Sequence, residues 1–402
     1  MAVVAAASGR AAYSPALVVA ICCAIAALEG YDIQAVGVAA PAMAPSLRLG
    51  DAQIGLAGSW SMVGLVLGAF VGGWLADRVG RKPVLVVSVA WFGICSVATS
   101  MVQSGDLLLA TRFLTGLGFG GAMPNMIAIA SEISAPQRRA ITVTAIFVGM
   151  PAGGALAALV TRFLPHGFDW RLIFLMGGVF PLALAPITLL WLPETRPDPG
   201  RQGDRRALTA LFGGGRTLAT LCMWTAFAFT LVVLYLMLGW LPLLVVAKGL
   251  GRDAGSLAAL AFNLVGVAGG IAIGLLADRH RFRWPLAATY VGLAIGMALL
   301  ALANQVGQVL VLSAVVGFCV IGTQYGLYAL APLYYPPAVR GLGAGAAVGA
   351  GRMGSIVGPL LAGAMRERHA SAAEVLGVTL PVIVVAALAA FVLTFLKQAE
   401  EV

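Results

Sequence analysis

Charge is what this 402-residue sequence has least of. Asp, Glu, Lys and Arg make up 10% of it, against 60% hydrophobic residues and a mean hydropathy of +0.97. Soluble domains carry about 25% charged residues. A water-facing surface is therefore excluded for most of the exterior, which must face lipid. Histidine and cysteine are also sparse. The three histidines, His166, His280 and His369, fall in expected loops and read as solvated side chains, not as metal ligands or a proton relay. The five cysteines (Cys22, Cys23, Cys95, Cys222 and Cys319) all lie inside apolar stretches, where a thiol acts as a small hydrophobe. No metal and no cofactor is expected. A Gly-x-x-x-x-Gly-Lys-Ser/Thr phosphate loop is absent, so energy must come from gradients. With no nucleophile, base or metal-ligand constellation at depth, the chain does not read as an enzyme.

What is present is apolar length. A helix needs about 20 apolar residues to cross a bilayer, and twelve stretches meet that need, at 15–40, 53–75, 84–102, 107–130, 140–162, 171–192, 217–247, 255–277, 286–304, 307–332, 340–362 and 373–396. The expected fold is an all-α membrane protein with both chain ends on one side. The first stretch is read as a retained helix, not a cleaved leader, because carboxylates interrupt it and many spans follow. Of the basic residues between spans, sixteen fall on the side of the termini and seven on the other. Excess Lys and Arg mark the cytoplasmic side, so both termini are expected there, in a multi-pass inner-membrane protein. The net charge of +9 is thus a topology signal and leaves little for a nucleic-acid footprint.

The longest polar interruption, "PETRPDPGRQGDRRALTALFGGGR", spans 193–216 and separates six spans from six. It divides the chain into an N-terminal bundle (1–192), a cytoplasmic linker (193–216) and a C-terminal bundle (217–402). The halves echo each other. "GGWLADRVGRKP" (72–83) returns as "IGLLADRHRFRWP" (273–285), and the same offset of 201 superimposes Arg139 on Arg340 and Gly116 on Gly317. Parallel repeats with a site between them near the midplane are the architecture of a rocking secondary transporter. The 51 glycines include small-x-x-x-small runs such as Gly341, Gly345 and Gly349, which are expected to permit close helix approach.

Four charges lie in the interior of spans, away from their ends: Glu29, Asp32, Arg112 and Arg352. Each costs several kcal/mol at membrane depth unless paired or hydrated, so each is a functional candidate. Glu29 and Asp32 are spaced i, i+3 on one helix face. At about 1.5 Å per residue, Asp32 lies roughly 12 Å and Arg112 about 8 Å inside the external ends of the first and fourth helices, while Arg352 lies about 18 Å in from the cytoplasmic end of the eleventh. Two nearby carboxylates do not both ionise cheaply in a poorly hydrated cavity, so the Glu29/Asp32 pair is the expected proton carrier. A guanidinium receives an organic carboxylate with two parallel hydrogen bonds. Arg352 is the first choice for that role and Arg112 the second, the alternative for Arg112 being an ion pair with Asp32 that only neutralises both. Tyr325 and Tyr328, with Gln324, on the tenth helix and Tyr235 and Trp240 on the seventh are candidate walls for a ring, or else interfacial and packing aromatics.

"GGWLADRVGRK" resembles the signature of the major facilitator superfamily between its second and third helices. "EGYDIQAVGVAAP" (29–41), "RFLTGLGFGGAMPN" (112–125) and "GAGRMGSIVGPLLAG" (349–363) are similar to the aromatic acid:proton symporters of that superfamily. Glu29, "LYLMLGWLPLLVVAKG" (234–249) and "LYALAPLYY" (327–335) are most similar to the 3-(3-hydroxyphenyl)propionate transporter branch. The resemblance covers nearly the whole chain. It implies two six-helix pseudo-repeats, import of an aromatic carboxylate with protons, a place in aromatic catabolism and function as a monomer. Asp77 with Arg78 and Arg81 would form a cytoplasmic latch to the other half. Asp278 is the weaker second copy, because Arg281 replaces the second signature glycine. The rival readings are a proton-antiporting exporter, of whose helix-5 signature "GMPAGG" (149–154) is a partial match, a sugar carrier, and a carboxylate-sensing receptor.

Overall fold

The computed structural model describes residues 14–135, 139–163, 169–195, 211–276, 282–336 and 339–396. Among these residues the chain is all helical. The elements are α1 (Pro15–Leu47), α2 (Asp51–Val79), α3 (Arg81–Ser100), α4 (Gly105–Ile133), α5 (Arg139–Phe163), α6 (Arg171–Trp191), α7 (Thr217–Ala247), α8 (Gly251–Leu276), α9 (Arg283–Leu302), α10 (Val306–Leu330), a 3-10 turn (Ala331–Tyr334), α11 (Arg340–Glu367), α12 (Ala372–Gly377) and α13 (Thr379–Leu393). Eleven spans are long and apolar enough to cross a membrane, α12 and α13 together counting as one. The remaining crossing is α11. It has 28 residues, enough length, but its Gly-rich sequence and internal Arg352 lower its hydropathy.

The last crossing differs from the single helix expected over 373–396. It breaks after Gly377 and restarts at Thr379. Pro381 explains the break, since it has no N–H to bond the carbonyl four residues earlier but fits the first turn of a new helix.

Apolar side chains cover the outside as well as the core. Phe70, Phe163, Leu190 and Leu302 are each at least 70% exposed, as a lipid-facing surface requires. With no apolar contrast between lipid and interior, the helices are selected to meet by close packing of small residues.

That packing repeats at the predicted offset. In the first half α1 packs on α5, α2 on α4, and α3 on α4 and α6. In the second, α7 packs on α11, α8 on α10, and α9 on α10 and α13. A side chain at Gly153 would strike the carbonyl of Ala27, and one at Gly354 the carbonyl of Ala228. Both members of the second pair stand 201 positions after the first. Gly116 against Ser61 and Gly317 against Phe262 repeat the relation for α2–α4 and α8–α10. The halves meet through α2 against α11, α5 against α8, and α1 against α7, contacts that the repeat interchanges or maps onto themselves. The run Gly341, Gly345, Gly349 does not serve this purpose. Those three glycines face nothing within 4 Å, and the close contacts of α11 come from Gly343, Gly351, Gly354, Gly358 and Gly363. Small-residue spacing alone does not reveal which face of a helix meets a neighbour.

Candidate substrate and proton site

The four intramembrane charges separate into different settings. Asp32 on α1 accepts from Arg112 Nη1 of α4 at 2.6 Å, and Ser96 of α3 donates to its other oxygen. Arg112 also donates to Thr99 and to Thr115 at 3.0 Å, and its guanidinium lies 4.9 Å from the Phe174 ring centre. Arg112 is 0% and Asp32 1% exposed. The two ions therefore replace much of their lost hydration by hydrogen bonds among α1, α3 and α4, with the Phe174 ring of α6 against the guanidinium. Asp32 reaches only a small crevice between α1, α2, α7 and α11.

Glu29 stands one turn earlier on α1. It is also fully buried, but neither carboxylate oxygen has a hydrogen-bond partner. It lies within electrostatic range of both Arg352 and Asp32. An ionised carboxylate there has nothing to replace its water, whereas the protonated acid loses far less by burial.

Arg352, on α11, faces a central cavity built by both halves, with Met123 and Phe147 from the first and Tyr235, Gln324, Tyr325 and Tyr328 from the second. Its Nη1 donates to the Tyr235 hydroxyl at 3.0 Å, and its Nη2 lies 3.0 Å from the Met123 sulfur. Among the described residues no carboxylate is within ion-pair distance of it. Tyr328 stacks on Phe147 with centroids 4.8 Å apart and meets Phe227 edge-on at 5.3 Å. The Tyr325 hydroxyl donates to the Phe147 carbonyl. The side-chain amide of Gln324 has no protein partner. The cavity holds about 70 Å³, whereas ligand pockets run from about 300 Å³ upward. At that volume the cavity is contracted.

The structure thus brings together Arg352, Gln324, Tyr235, Tyr325 and Tyr328. Two residues expected with them lie elsewhere. Arg112 is paired with Asp32, the alternative reading of it given above. Trp240 is 1% exposed, with its indole nitrogen donating to the Pro359 carbonyl at 3.2 Å, and it lines the Asp32 crevice instead. Asn263 and Phe147 were not foreseen. A lone amide in the apolar run of α8 was a usable signal for Asn263. Phe147 looks like any lipid-span aromatic.

At the signature loop, Gly80 adopts a φ of +103°, and a side chain there would strike the Glu194 carboxylate. That carboxylate accepts from the Arg81 backbone N–H at 2.9 Å and caps α3. Arg81 pairs with Glu132 of α4, and the Arg78 guanidinium lies 3.8 Å over Trp74. These contacts stay within the first half and the start of the linker. Asp77 is exposed and, among the described residues, has no ion-pair partner. Asp278, with His166 and His280, lies outside the described residues. His369 is exposed and all five cysteines are free. At the opposite face, Arg366 of α11 lies 3.6 Å from Asp51, and Glu367 accepts from the Ala52 N–H at 3.1 Å.

Twelve crossings in two parallel repeats around a central cavity with buried charges define a multi-pass membrane carrier. The chain belongs to the Major Facilitator Superfamily, whose model matches residues 22–272 and 249–402. It is 38% identical over 377 residues to the 3-(3-hydroxy-phenyl)propionate transporter of Escherichia coli K12, covering 94% of this chain and 93% of that one. It is 32% identical to the gallate transporter of Pseudomonas putida, over 87% and 85% of the two chains. These relatives are transporters, not enzymes. Among solved structures, a bacterial homolog of the human lysosomal transporter Spinster, inward-facing and unoccupied, superimposes with a TM-score of 0.79 at 17% identity, over 96% of this chain and 98% of that one. That likeness bears on the fold alone.

Proposed function

We propose that this protein imports an aromatic carboxylate, of the hydroxyphenylpropionate or hydroxybenzoate type, together with protons, by alternating access. The observation that carries the reading is Arg352, a buried guanidinium without a carboxylate partner, set in a cavity walled by Tyr235, Tyr325, Tyr328 and Phe147. An acid's carboxylate takes two of its donors, and the ring lies among the aromatics. The named substrates of the relatives are of this chemical class.

Coupling follows from charge. Glu29, buried with neither oxygen hydrogen-bonded, is the carboxylate left free to exchange a proton in this reading. A substrate carboxylate held by Arg352 brings a second negative charge into the same region, and a proton carried on Glu29 offsets it. By linkage, each ligand then strengthens the other's binding. Asp32, paired with Arg112, holds α1 against α3 and α4 while this occurs.

In this reading residues 1–192 and 217–402 move as two units joined by a cytoplasmic linker, with both termini cytoplasmic in the inner membrane and a single chain sufficient. The test is uptake of labelled phenylpropionates, benzoates and sugars into proteoliposomes, with and without an imposed pH gradient. Accumulation of the acids driven by an inward proton gradient is expected. Gradient-driven export, or preference for a sugar, overturns the proposal.

A further inference from the structure

We propose that Asn263 and Gln324 form a subsite for the ring hydroxyl of the substrate, so that the carrier selects hydroxylated aromatic acids over their unhydroxylated counterparts. This rests on the aromatic-carboxylate reading above and assigns the other end of the same molecule.

Asn263 of α8 is 1% exposed and lines the Arg352 cavity. Its Nδ2 donates to Gln34 Oε1 at 3.0 Å and to the Ala259 carbonyl at 2.9 Å, while Gln34 Nε2 donates to the Leu238 carbonyl at 3.0 Å. This chain of donors fixes the orientation of the amide. Turned over, Asn263 would set its oxygen against two acceptors. Its Oδ1 is consequently an acceptor with no protein donor. Gln324 of α10, 2% exposed, also lines the cavity, and neither atom of its amide has a protein partner.

Buried polar groups are nearly always hydrogen-bonded. Three unmet positions on two neutral amides of a single, mostly apolar cavity therefore describe a ligand as well as a pocket. An aryl ring alone leaves all three unmet. A phenolic hydroxyl donates to Asn263 Oδ1 and offers its own lone pairs to the Gln324 amide. A second carboxylate does not fit, because Asn263 presents only an acceptor and neither amide carries charge. The carboxylate thus goes to Arg352 and the hydroxyl to the amides. Gln34 is a positioning residue. It spans from α1 to α7 and α8, and it keeps the Asn263 oxygen free.

A site built to hydrogen-bond a hydroxyl rejects the analogue lacking it far more strongly than an apolar pocket rejects an added group. The experiment is competition of 3-phenylpropionate and 3-(3-hydroxyphenyl)propionate against the labelled hydroxylated acid, on the purified full chain. Wild type should favour the hydroxylated acid by at least roughly 10- to 100-fold, the range expected when one buried neutral group is left unmet. Asn263→Leu, which is close in size and offers no acceptor, should bring the ratio of affinities to within about threefold, and Gln324→Met should lower the same ratio, so the outcome does not rest on one variant. Equal wild-type affinities, or an unchanged ratio in both variants, overturns the subsite while leaving the aromatic-acid reading intact. Failure of wild type to bind either acid overturns both.

Discussion

Glu29 and Asp32 stand one turn apart on α1 with the same burial, yet only Asp32 is held, by Arg112 at 2.6 Å and by Ser96. Asp32 is thereby tied into the packing of α1, α3 and α4, and under the proposed symport Glu29 is the carboxylate that exchanges a proton. Glu29→Gln is expected to keep substrate exchange while losing accumulation driven by a pH gradient. Asp32→Ala is expected to destabilise by about 3–5 kcal/mol, because Arg112 is left buried without its partner. Uptake and thermal unfolding in detergent separate the two. If Glu29→Gln accumulates normally and Asp32→Ala melts at the wild-type temperature without coupling, the roles are reversed.

The i, i+3 spacing of these carboxylates was legible in the sequence, as were the twelve crossings and the 201-residue repeat. The Asp32–Arg112 pair was legible as one of two readings of Arg112, and the structure has it; that Glu29 is left without a partner was not, because it depends on how helices distant in sequence pack around α1. The same limit misplaced Trp240. Its spacing from Tyr235 puts it at a plausible depth, but its indole is held by the Pro359 carbonyl on the far side of the layer formed by Ile33, Tyr235 and Leu238. Asn263 and Gln324 acquire meaning only when α8 and α10 fold onto one cavity.

Arg352→Lys is expected to weaken acid binding although the charge is kept, since lysine lacks the planar two-point contact. Loss of a desolvated charge pair is worth about 2–5 kcal/mol, roughly 30-fold to several-thousand-fold in affinity. Stacking on Tyr328 or Phe147 adds about 0.5–1.5 kcal/mol beyond burial, so the carboxylate dominates. The amide of the preferred acid should fail to compete and the ring-saturated acid should compete weakly. Equal competition by acid and amide makes Arg352 a packing residue.

The repeat can be tested through its glycines. Gly153 and Gly354 each admit a carbonyl of the partner helix where a side chain would stand, Ala27 for one and Ala228 for the other. Backbone cannot rotate aside as a side chain does, so Gly153→Val and Gly354→Val should each cost at least the 1–3 kcal/mol typical of overpacking. Gly345→Val, which meets nothing within 4 Å, should be tolerated. Detergent melting curves of the three variants decide it. A loss at Gly345 equal to the other two contradicts the packing described.

Opening of the face opposite the signature loop is expected to depend on Glu367. Its carboxylate accepts from the Ala52 N–H at 3.1 Å and sits at the positive end of α2, while the neighbouring Arg366 lies 3.6 Å from Asp51. Together they join α11 to α2 across the two halves. Asp51 and Arg366 are about a quarter exposed, so their pair contributes no more than about 1 kcal/mol. The helix-terminal carboxylate contributes about 0.3–1 kcal/mol. Glu367→Gln removes the second contribution and should shift the closed-to-open equilibrium at this face by about two- to fivefold. Ile54, 3% exposed and lining the Asp32 crevice just inside the clamp, is the reporter position. In a cysteine-free background carrying Ile54→Cys, a membrane-impermeant thiol reagent should react two to five times faster after Glu367→Gln. Adding Asp51→Asn should increase the rate again, because it releases Arg366 independently. Identical labelling rates in parent and double variant would mean that the close packing of Gly55 against Pro359 and Gly363, and not the charges, keeps this face shut.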